Sequence, residues 1–239
     1  MSNYDVIAQF YDSVVSDPTE KALWLKQLMH KYHPTAENVL ELACGTGGIL
    51  AVLAKDYHVV GLDNSAGMLH AARKKLPEVK FIQADMSDFT VGQKFDVALC
   101  IYDSINHLMS FLEWQSMFKK VAAHLTPCGL FIFDMNTVEF LNKLNTSEGS
   151  VSSYGDNTMT IRAVPNDEAI TTLKVEVVER QSDGKTIIHK TDIPENSFGL
   201  LEVEATLKEH FEVLARLGEQ QDAEWKKEDN KIVYVCRLV

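Results

Sequence analysis

Positive charge is scarce in this chain of 239 residues, where 23 lysines and arginines face 34 aspartates and glutamates and leave a formal net charge of -11. A surface of that sign repels phosphate backbones and anionic bilayers unless its basic residues gather on one face. The short runs Arg73-Lys74-Lys75 and Lys226-Lys227 do not make such a face, so neither a nucleic acid nor a membrane is expected as a partner. Cysteine is limited to four: Cys44, Cys100 and Cys236 lie in or beside apolar runs, and Cys128 precedes a glycine. None pairs at metal-binding or redox spacing, which argues against a metal site or a disulfide framework and for buried free thiols in a reducing compartment. Long apolar runs are missing too, since no stretch nears the ~20 residues that cross a bilayer. The first five residues lack the basic start of a secretory leader. A cytoplasmic protein is the expectation.

What the chain does have is 46% hydrophobic residues, enough for a full core in one large domain or one domain with an insertion. Asp17-Pro18-Thr19-Glu20 reads as a helix start, and Leu25, Leu28, Met29 and Tyr32 then mark one buried face up to His33-Pro34. Residues 1–35 are thus expected to be helical. From Asn38 short apolar runs alternate with amphipathic helices, the pattern of parallel strands joined by crossovers. Strands are predicted at Val39–Ala43, Val59–Leu62, Val79–Ile82, Phe95–Ile101 and Leu130–Phe133. Between about Asn145 and Phe198 the helical period vanishes. Leu173, Val175 and Val177 alternate with polar residues, and Ser182-Asp183-Gly184-Lys185 supplies a hairpin turn. A helix over Leu200–Phe211 and strands at Glu212–Leu217 and Lys231–Leu238 complete the chain. The fold class expected is α/β, a doubly wound, mostly parallel seven-stranded sheet with an antiparallel β insertion. Its parts would be a helical lid (1–35), a main domain (36–144 and 199–239) and the insertion (145–198).

The first predicted strand runs through Glu41 into Ala43-Cys44-Gly45-Thr46-Gly47-Gly48 and opens a helix, a tight turn whose small residues let a ligand approach the backbone. A dinucleotide fingerprint needs a third glycine where this chain has Leu50, and a phosphate loop needs a Gly-Lys-Ser/Thr that does not follow. Eighteen residues after Gly45 the second strand ends at Asp63, an acid placed to accept from both hydroxyls of a ribose; the third ends at Ala84-Asp85-Met86. These carboxyl ends are where open α/β sheets bind ligands.

With those residues in view, the run from Tyr4 to about Asp134 resembles the class I S-adenosylmethionine-dependent methyltransferases, of the bacterial small-molecule type. The resemblance rests on Glu41-Leu42-Ala43-Cys44-Gly45-Thr46-Gly47, Gly61-Leu62-Asp63-Asn64-Ser65 with Met68-Leu69, Gln83-Ala84-Asp85-Met86 and Phe95-Asp96-Val97. It implies S-adenosylmethionine as the cofactor, with Ala43, Gly45 and Gly47 facing its methionine part and Glu41 beneath the amino group. It also implies that Asp63 holds the ribose, that Asn64 and Met68 flank the adenine, and that Asp85 bonds the adenine amino group beside Met86. Tyr11, Trp24 and Ile101 complete the implied cofactor set. Met68, Met86 and Trp24 equally suit a plain core, and Asp85 a loop acid.

After the fourth strand the chain reads Tyr102-Asp103-Ser104-Ile105-Asn106-His107-Leu108 rather than Asn-Pro-Pro-Tyr, which argues against methylation of a base amine or a glutamine amide. The looser Ser-Ile-x-His-Leu is similar to that of amino-sugar N,N-dimethyltransferases. Methyl transfer is an in-line displacement that needs placement and dryness more than a base. Tyr102, Asp103 and His107 are the candidates for the catalytic, acceptor-side wall, although Asp103 also suits a helix cap, Tyr102 a core position and His107 the surface. The function expected is methyl transfer to nitrogen or oxygen of a small molecule, by a monomer or homodimer. A non-catalytic S-adenosylmethionine sensor is the alternative.

Overall fold

The computed structural model describes residues 2–15, 17–166, 170–218 and 223–239. Two short helical pieces, a 3-10 turn over Asn3–Val6 and α1 over Ala8–Val14, precede α2 at Thr19–Tyr32. α2 starts one residue later than the sequence suggests: Pro18 is its N-cap, and Asp17 just before it accepts at Oδ1 from the Thr19 N–H at 2.9 Å and the Thr19 hydroxyl at 2.6 Å. Then come β1 (Asn38–Leu42), α3 (Gly48–Leu53), β2 (His58–Asp63), α4 (Ala66–Lys75), β3 (Lys80–Gln83), β4 (Phe95–Cys100), α5 (Phe111–His124), β5 (Leu125–Asn136) and α6 (Val138–Leu144). An antiparallel set follows, β6 (Ser150–Tyr154), β7 (Asn157–Pro165), β8 (Thr171–Arg180) and β9 (Thr186–Glu195), and then α7 (Leu200–Leu207), β10 (Phe211–Leu217) and β11 (Lys231–Leu238).

The main sheet has seven strands in the order β10-β11-β5-β4-β1-β2-β3. β11 runs antiparallel between β5 and β10, while β1 pairs in parallel with both β2 and β4. The α/β class, the seven strands and the antiparallel addition agree with the sequence reading. Period-2 alternation sorts side chains to two buried faces. Leu40, Ala98, Phe131 and Tyr234 face one core with Trp114 and Phe118 of α5. Val39, Val97, Ile132 and Val235 face the other, with Leu25 and Leu28 of α2 and Leu50 of α3. Burying both faces is what makes the parallel strands read as continuous apolar runs.

Four predicted details change. β5 is far longer than Leu130–Phe133, because pairing with β11 continues to Asn136 and carries Asp134 and Asn136 to the carboxyl edge of the sheet. The helix predicted over Leu200–Phe211 ends at Leu207, and Phe211 opens β10. Cys128 is exposed, unlike the other three cysteines, because it lies outside both cores on the early part of β5. Asp103 precedes the 3-10 turn Ser104–His107, yet its side chain makes no capping bond there.

The second sheet has four strands in the order β6-β7-β8-β9. Gly184, at φ 83°, makes the turn between β8 and β9. Its inner face carries Met159, Val175, Val177 and Ile193, and what covers them is Ile7 and Phe10 from the N-terminal segment. The segment before α2 and the second sheet therefore pack as one unit that shares a cavity wall with the carboxyl ends of the main sheet, whereas α2, the rest of the expected 1–35 lid, packs into the main core. Among the described residues no helix is long and apolar enough to cross a membrane.

Candidate active site

The carboxyl ends of β1, β2, β3 and β4, the N-terminal segment and parts of β8 and β9 line a cavity of about 970 Å³. One end of it is built from backbone. Ala43 at φ 51°, Gly45 at φ 53° and Gly47 at φ 77° turn the chain from β1 into α3. The Gly45 N–H donates to Asp63 Oδ2 at 2.8 Å, and the Ser65 N–H donates to Asp63 Oδ1 at 2.8 Å, so one carboxylate holds two turns together. A Cβ built on Gly45 would meet nothing within 4 Å, which leaves the backbone open to a ligand. Gly61 is a different case: its Cβ would lie 2.7 Å from both Cys44 Sγ and the Phe81 ring, so its bareness lets the glycine turn sit flush on β2 and β3.

Glu41 is 4% exposed, and its Oε2 has no hydrogen-bond partner. Burial first, and the charge of Asp63 second, push its carboxyl well above the ordinary range. Burial also raises Asp63, against the pull of the Ser65 and Gly45 N–H groups. An unpartnered buried acceptor beside an open backbone turn costs free energy unless a ligand satisfies it. The ammonium of a methionine moiety is such a partner.

Of the residues expected to hold the cofactor, the structure brings Tyr11, Glu41, Ala43, Gly45, Asp63, Asn64, Met68, Asp85, Met86 and Ile101 to this cavity. It does not bring Trp24, which is buried in the core beneath α2 and α3, with Lys21 Nζ 4.8 Å from its ring centre. Gly47 is absent from the wall as well. Its α-carbon faces Leu76, Phe81 and Ala72, and its part is to bend the chain. Asp85 is exposed, with Oδ1 occupied by the Ser87 N–H and hydroxyl at 2.8 and 2.6 Å.

The opposite end is built from side chains that meet only in three dimensions. Tyr102 and Asp103 both take the left-handed conformation, φ 62° and 52°, rare for such residues and costly unless their surroundings hold them. The surroundings do so. The Asp103 N–H donates to Asp134 Oδ1 at 2.6 Å, Lys21 pairs with Asp134 at 3.1 Å, and Lys231 pairs with Asp103. Asn136 Nδ2 then donates to Asp103 Oδ2 at 3.0 Å and to Glu195 Oε2 at 3.2 Å, bridging two carboxylates. Burial raises the Asp103 carboxyl, but the Lys231 ammonium, His107 and the Asn136 amide together outweigh it and the net shift is downward. Glu195 moves the other way, to about 7, through burial and then the charge of Asp103. Lys231 is raised despite its burial because Asp103 and Asp134 hold its proton.

His107 is not a surface residue. Its Nδ1 lies 3.2 Å from the Pro194 carbonyl and its Nε2 2.9 Å from the Tyr4 hydroxyl. Burial lowers its pKa, so the ring is neutral near pH 7. A carbonyl only accepts, so Nδ1 carries the proton and Nε2 accepts from Tyr4. Tyr102, 40% exposed, stands at the cavity wall and not in the core. Asn106, fully buried, ties the assembly together: its Nδ2 donates to the carbonyls of Asn136 and Asn196 at 3.2 and 2.8 Å, and its Oδ1 accepts the Asn136 N–H at 2.9 Å.

The lid latches onto the loops after β1 and β2. Asp5 Oδ1 accepts from the Ser65 hydroxyl at 2.6 Å and the Gly67 N–H at 2.9 Å; Asp12 accepts from the Thr46 hydroxyl at 2.5 Å and pairs with Lys75 at 2.7 Å. Tyr4 and Tyr11 meet edge to face, 6.2 Å between centroids. Burial pushes Tyr11 up to about 12, with Asp103 the next cause and Asp63 also acting on it, and the residue lines the cavity.

Glu195, Asn136, Lys231 and Tyr4 were missed by sequence reasoning. A signal existed for Asn136, as the second polar residue after the fifth apolar run, and for Tyr4, in the aromatic N-terminal segment. None existed for Glu195, which ends the last strand of an insertion whose alternation says nothing of what that end meets. His189, a residue of the hairpin, pairs with Glu179 at 2.9 Å beside Phe10 and does not reach the cavity wall.

Comparison with known proteins agrees with this geometry. Residues 39–129 match the family described as "Methyltransferase domain". A dTDP-3-amino-3,6-dideoxy-alpha-D-glucopyranose N,N-dimethyltransferase of Streptomyces fradiae is 35% identical over 133 residues, 54% of this chain and 52% of that one. The chain spans about half the length of the curated relatives it matches. Among solved structures, an S-adenosylmethionine-dependent methyltransferase of Clostridium acetobutylicum superposes with a TM-score of 0.87, 21% identity and 99% coverage of both chains. DesVI of Streptomyces venezuelae does so at 0.83 and 23% identity, over 100% of this chain and 99% of that one. Residues 39–129 are thus a methyltransferase domain, in a chain with the fold of the class I S-adenosylmethionine-dependent methyltransferases.

Proposed function

We propose that this protein transfers a methyl group from S-adenosylmethionine to a nitrogen of a small molecule. The observation that carries the donor reading is the buried, unpartnered Glu41 carboxylate beside the open backbone at Gly45. Glu41 would receive the ammonium of the methionine part. The lone pairs left on Asp63 would receive the ribose hydroxyls, with Asn64 and Met68 against the adenine and Asp85 and Met86 at its edge.

When bound, the sulfonium supplies an electrophilic methyl group. The chain's own residues do the rest. Tyr4 and Tyr11 close the cavity above the glycine turn and exclude water, and the neutral His107 fixes the Tyr4 hydroxyl with its hydrogen aimed at Nε2. Tyr102 and Asp103 stand where an acceptor is placed in line with the methyl. Such positioning, in a site shielded from solvent, is the main contribution that a displacement at carbon asks of a protein. Nitrogen is favoured over oxygen by the likeness of residues 39–129 and their surroundings to an N,N-dimethyltransferase and by the surplus of carboxylates, which suits a cationic acceptor.

Calorimetry with S-adenosylmethionine and S-adenosylhomocysteine tests the donor. Release of S-adenosylhomocysteine over matched amines and alcohols tests the acceptor atom. Turnover confined to alcohols, or no binding of either cofactor form, overturns the proposal.

A further inference from the structure

The cavity wall is unusual in charge. Eight carboxylate side chains line it against a single lysine, Lys75, among the described residues. That lysine is occupied: it pairs with Asp12 at 2.7 Å and donates to the Thr46 hydroxyl at 3.3 Å. No arginine reaches the wall among the described residues. Phosphate groups are recognised by arginines, lysines and ready N–H donors, and a diphosphate here would face carboxylates at every turn.

Pairing off the charges sharpens the point. Asp103 has Lys231, Asp134 has Lys21 and Asp12 has Lys75. Glu41 and Asp63 belong to the donor end, while Asp17, Asp85 and Glu113 each accept the N–H and hydroxyl of a neighbouring Thr19, Ser87 or Ser110. Glu195 is left, 3% exposed, with one oxygen held by Asn136 and no ion-pair partner among the described residues. Three groups besides Asn136 act on it or sense it: Asp103 from the loop after β4, Lys231 from β11 and Tyr4 from the lid. Asp103 and Glu195 with Lys231 carry one negative charge too many when both acids are ionised. A buried charge without a partner is costly, and a cation entering the cavity removes that cost.

We propose that the acceptor is a primary or secondary amine free of phosphate, which enters as an ammonium ion and gives its proton to Glu195. The proposal rests on the methyl-transfer reading above. The ammonium N–H bond breaks and its proton passes to the Glu195 carboxylate, leaving a neutral amine. The nitrogen lone pair then forms a bond to the methyl carbon as the carbon–sulfur bond breaks and its electron pair returns to sulfur. The products are an N-methylated ammonium ion and the thioether. Because the Glu195 carboxyl titrates near pH 7, it is a receiver of protons just above neutrality and fails as one in acid.

The test uses the full chain loaded with S-adenosylhomocysteine, so that no chemistry intervenes. Glucosamine, ethanolamine and benzylamine are titrated by calorimetry, with N-acetylglucosamine and glucosamine 6-phosphate as controls, on the native protein and on Glu195→Gln. At pH 8 at least one free amine is expected to bind, at least tenfold more tightly than either control. Glu195→Gln lowers that affinity at least tenfold while S-adenosylhomocysteine binds within threefold of native. At pH 5.5 the two proteins converge, since Glu195 is then protonated. The proposal is overturned if none of the three amines binds the loaded protein, if the phosphorylated sugar binds more tightly than the free one, or if the variant binds amines as well as the native chain. Failure of S-adenosylhomocysteine itself to bind would instead remove the donor reading, and this proposal with it.

Discussion

The two ends of the cavity are made in different ways. The donor end is backbone: three left-handed residues between β1 and α3, and two N–H groups gathered by Asp63, all within a few residues of the strands that carry them. The acceptor end is side chains drawn from distant places, with Asp103, Asn136, Glu195 and Lys231 separated by as many as 128 positions in sequence. Local construction favours a ligand shared by many proteins. Long-range construction lets one acceptor be exchanged for another without disturbing the donor.

The sharpest break of that contrast comes at Asp103. Replacing it by alanine leaves Lys231 buried without its partner and frees two residues held at positive φ, so unfolding free energy should fall by about 3–5 kcal/mol. Adding Lys231→Met should restore a large part of the loss. Chemical denaturation of both singles and the double measures the coupling. Equal losses in the single and the double would mean that the pair does not hold this end.

The donor end has its counterpart in Gly61. Gly61→Ala places a methyl 2.7 Å from Cys44 Sγ and the Phe81 ring, both in the core, and overpacking of that kind costs up to about 3 kcal/mol. Affinity for S-adenosylhomocysteine should drop with it, while denaturation coupling between Asp103 and Lys231 stays as in the native chain. Loss of that coupling would show that the two ends are not separately built.

This division also explains what could be read from the sequence. Glu41 lies inside an apolar run, and Gly45, Asp63 and Asp85 each follow one within a few residues, so strand periodicity alone brings them to one edge of the sheet. Trp24 misled because an aromatic residue on an amphipathic helix near the N-terminus is equally suited to lid and core, and the face it shares with Leu25 and Leu28 decided for the core. Glu195 was invisible for a different reason. Its neighbours Asp103, Asn136 and Lys231 are set by how β9 ends against β5 and β11, through the buried Asn106, and no local pattern encodes that meeting.

Stability against pH separates the ends further. Glu195 binds its proton up to about pH 7 in the folded chain, against an ordinary value of 4.5. Between those values the folded state holds more protons than the unfolded one, so stability must decline as pH rises through that window. Glu195→Gln removes the decline. The variant should exceed the native protein by about 3 kcal/mol at pH 8 and match it near pH 4, as read from thermal unfolding across that range. A constant difference at all pH values would show that the effect is packing and not titration.

The smallest effect on stability is expected where both ends share a cover. Asp12 receives the Thr46 hydroxyl and pairs with Lys75, but its side chain is 50% exposed, and pairs so wet contribute under about 1 kcal/mol. Asp12→Ala should therefore leave the melting temperature within a few degrees of native. Its effect on dissociation is another matter. The latch joins α1 directly to the glycine turn and to α4, so opening the lid over a bound cofactor requires these contacts to break, whereas closing does not depend on their being made first. The dissociation rate of S-adenosylhomocysteine, followed by stopped-flow competition, should rise several-fold while its association rate changes little. An unchanged dissociation rate would place the hold on the donor within the backbone turn alone, and make the lid a wall of the acceptor end only.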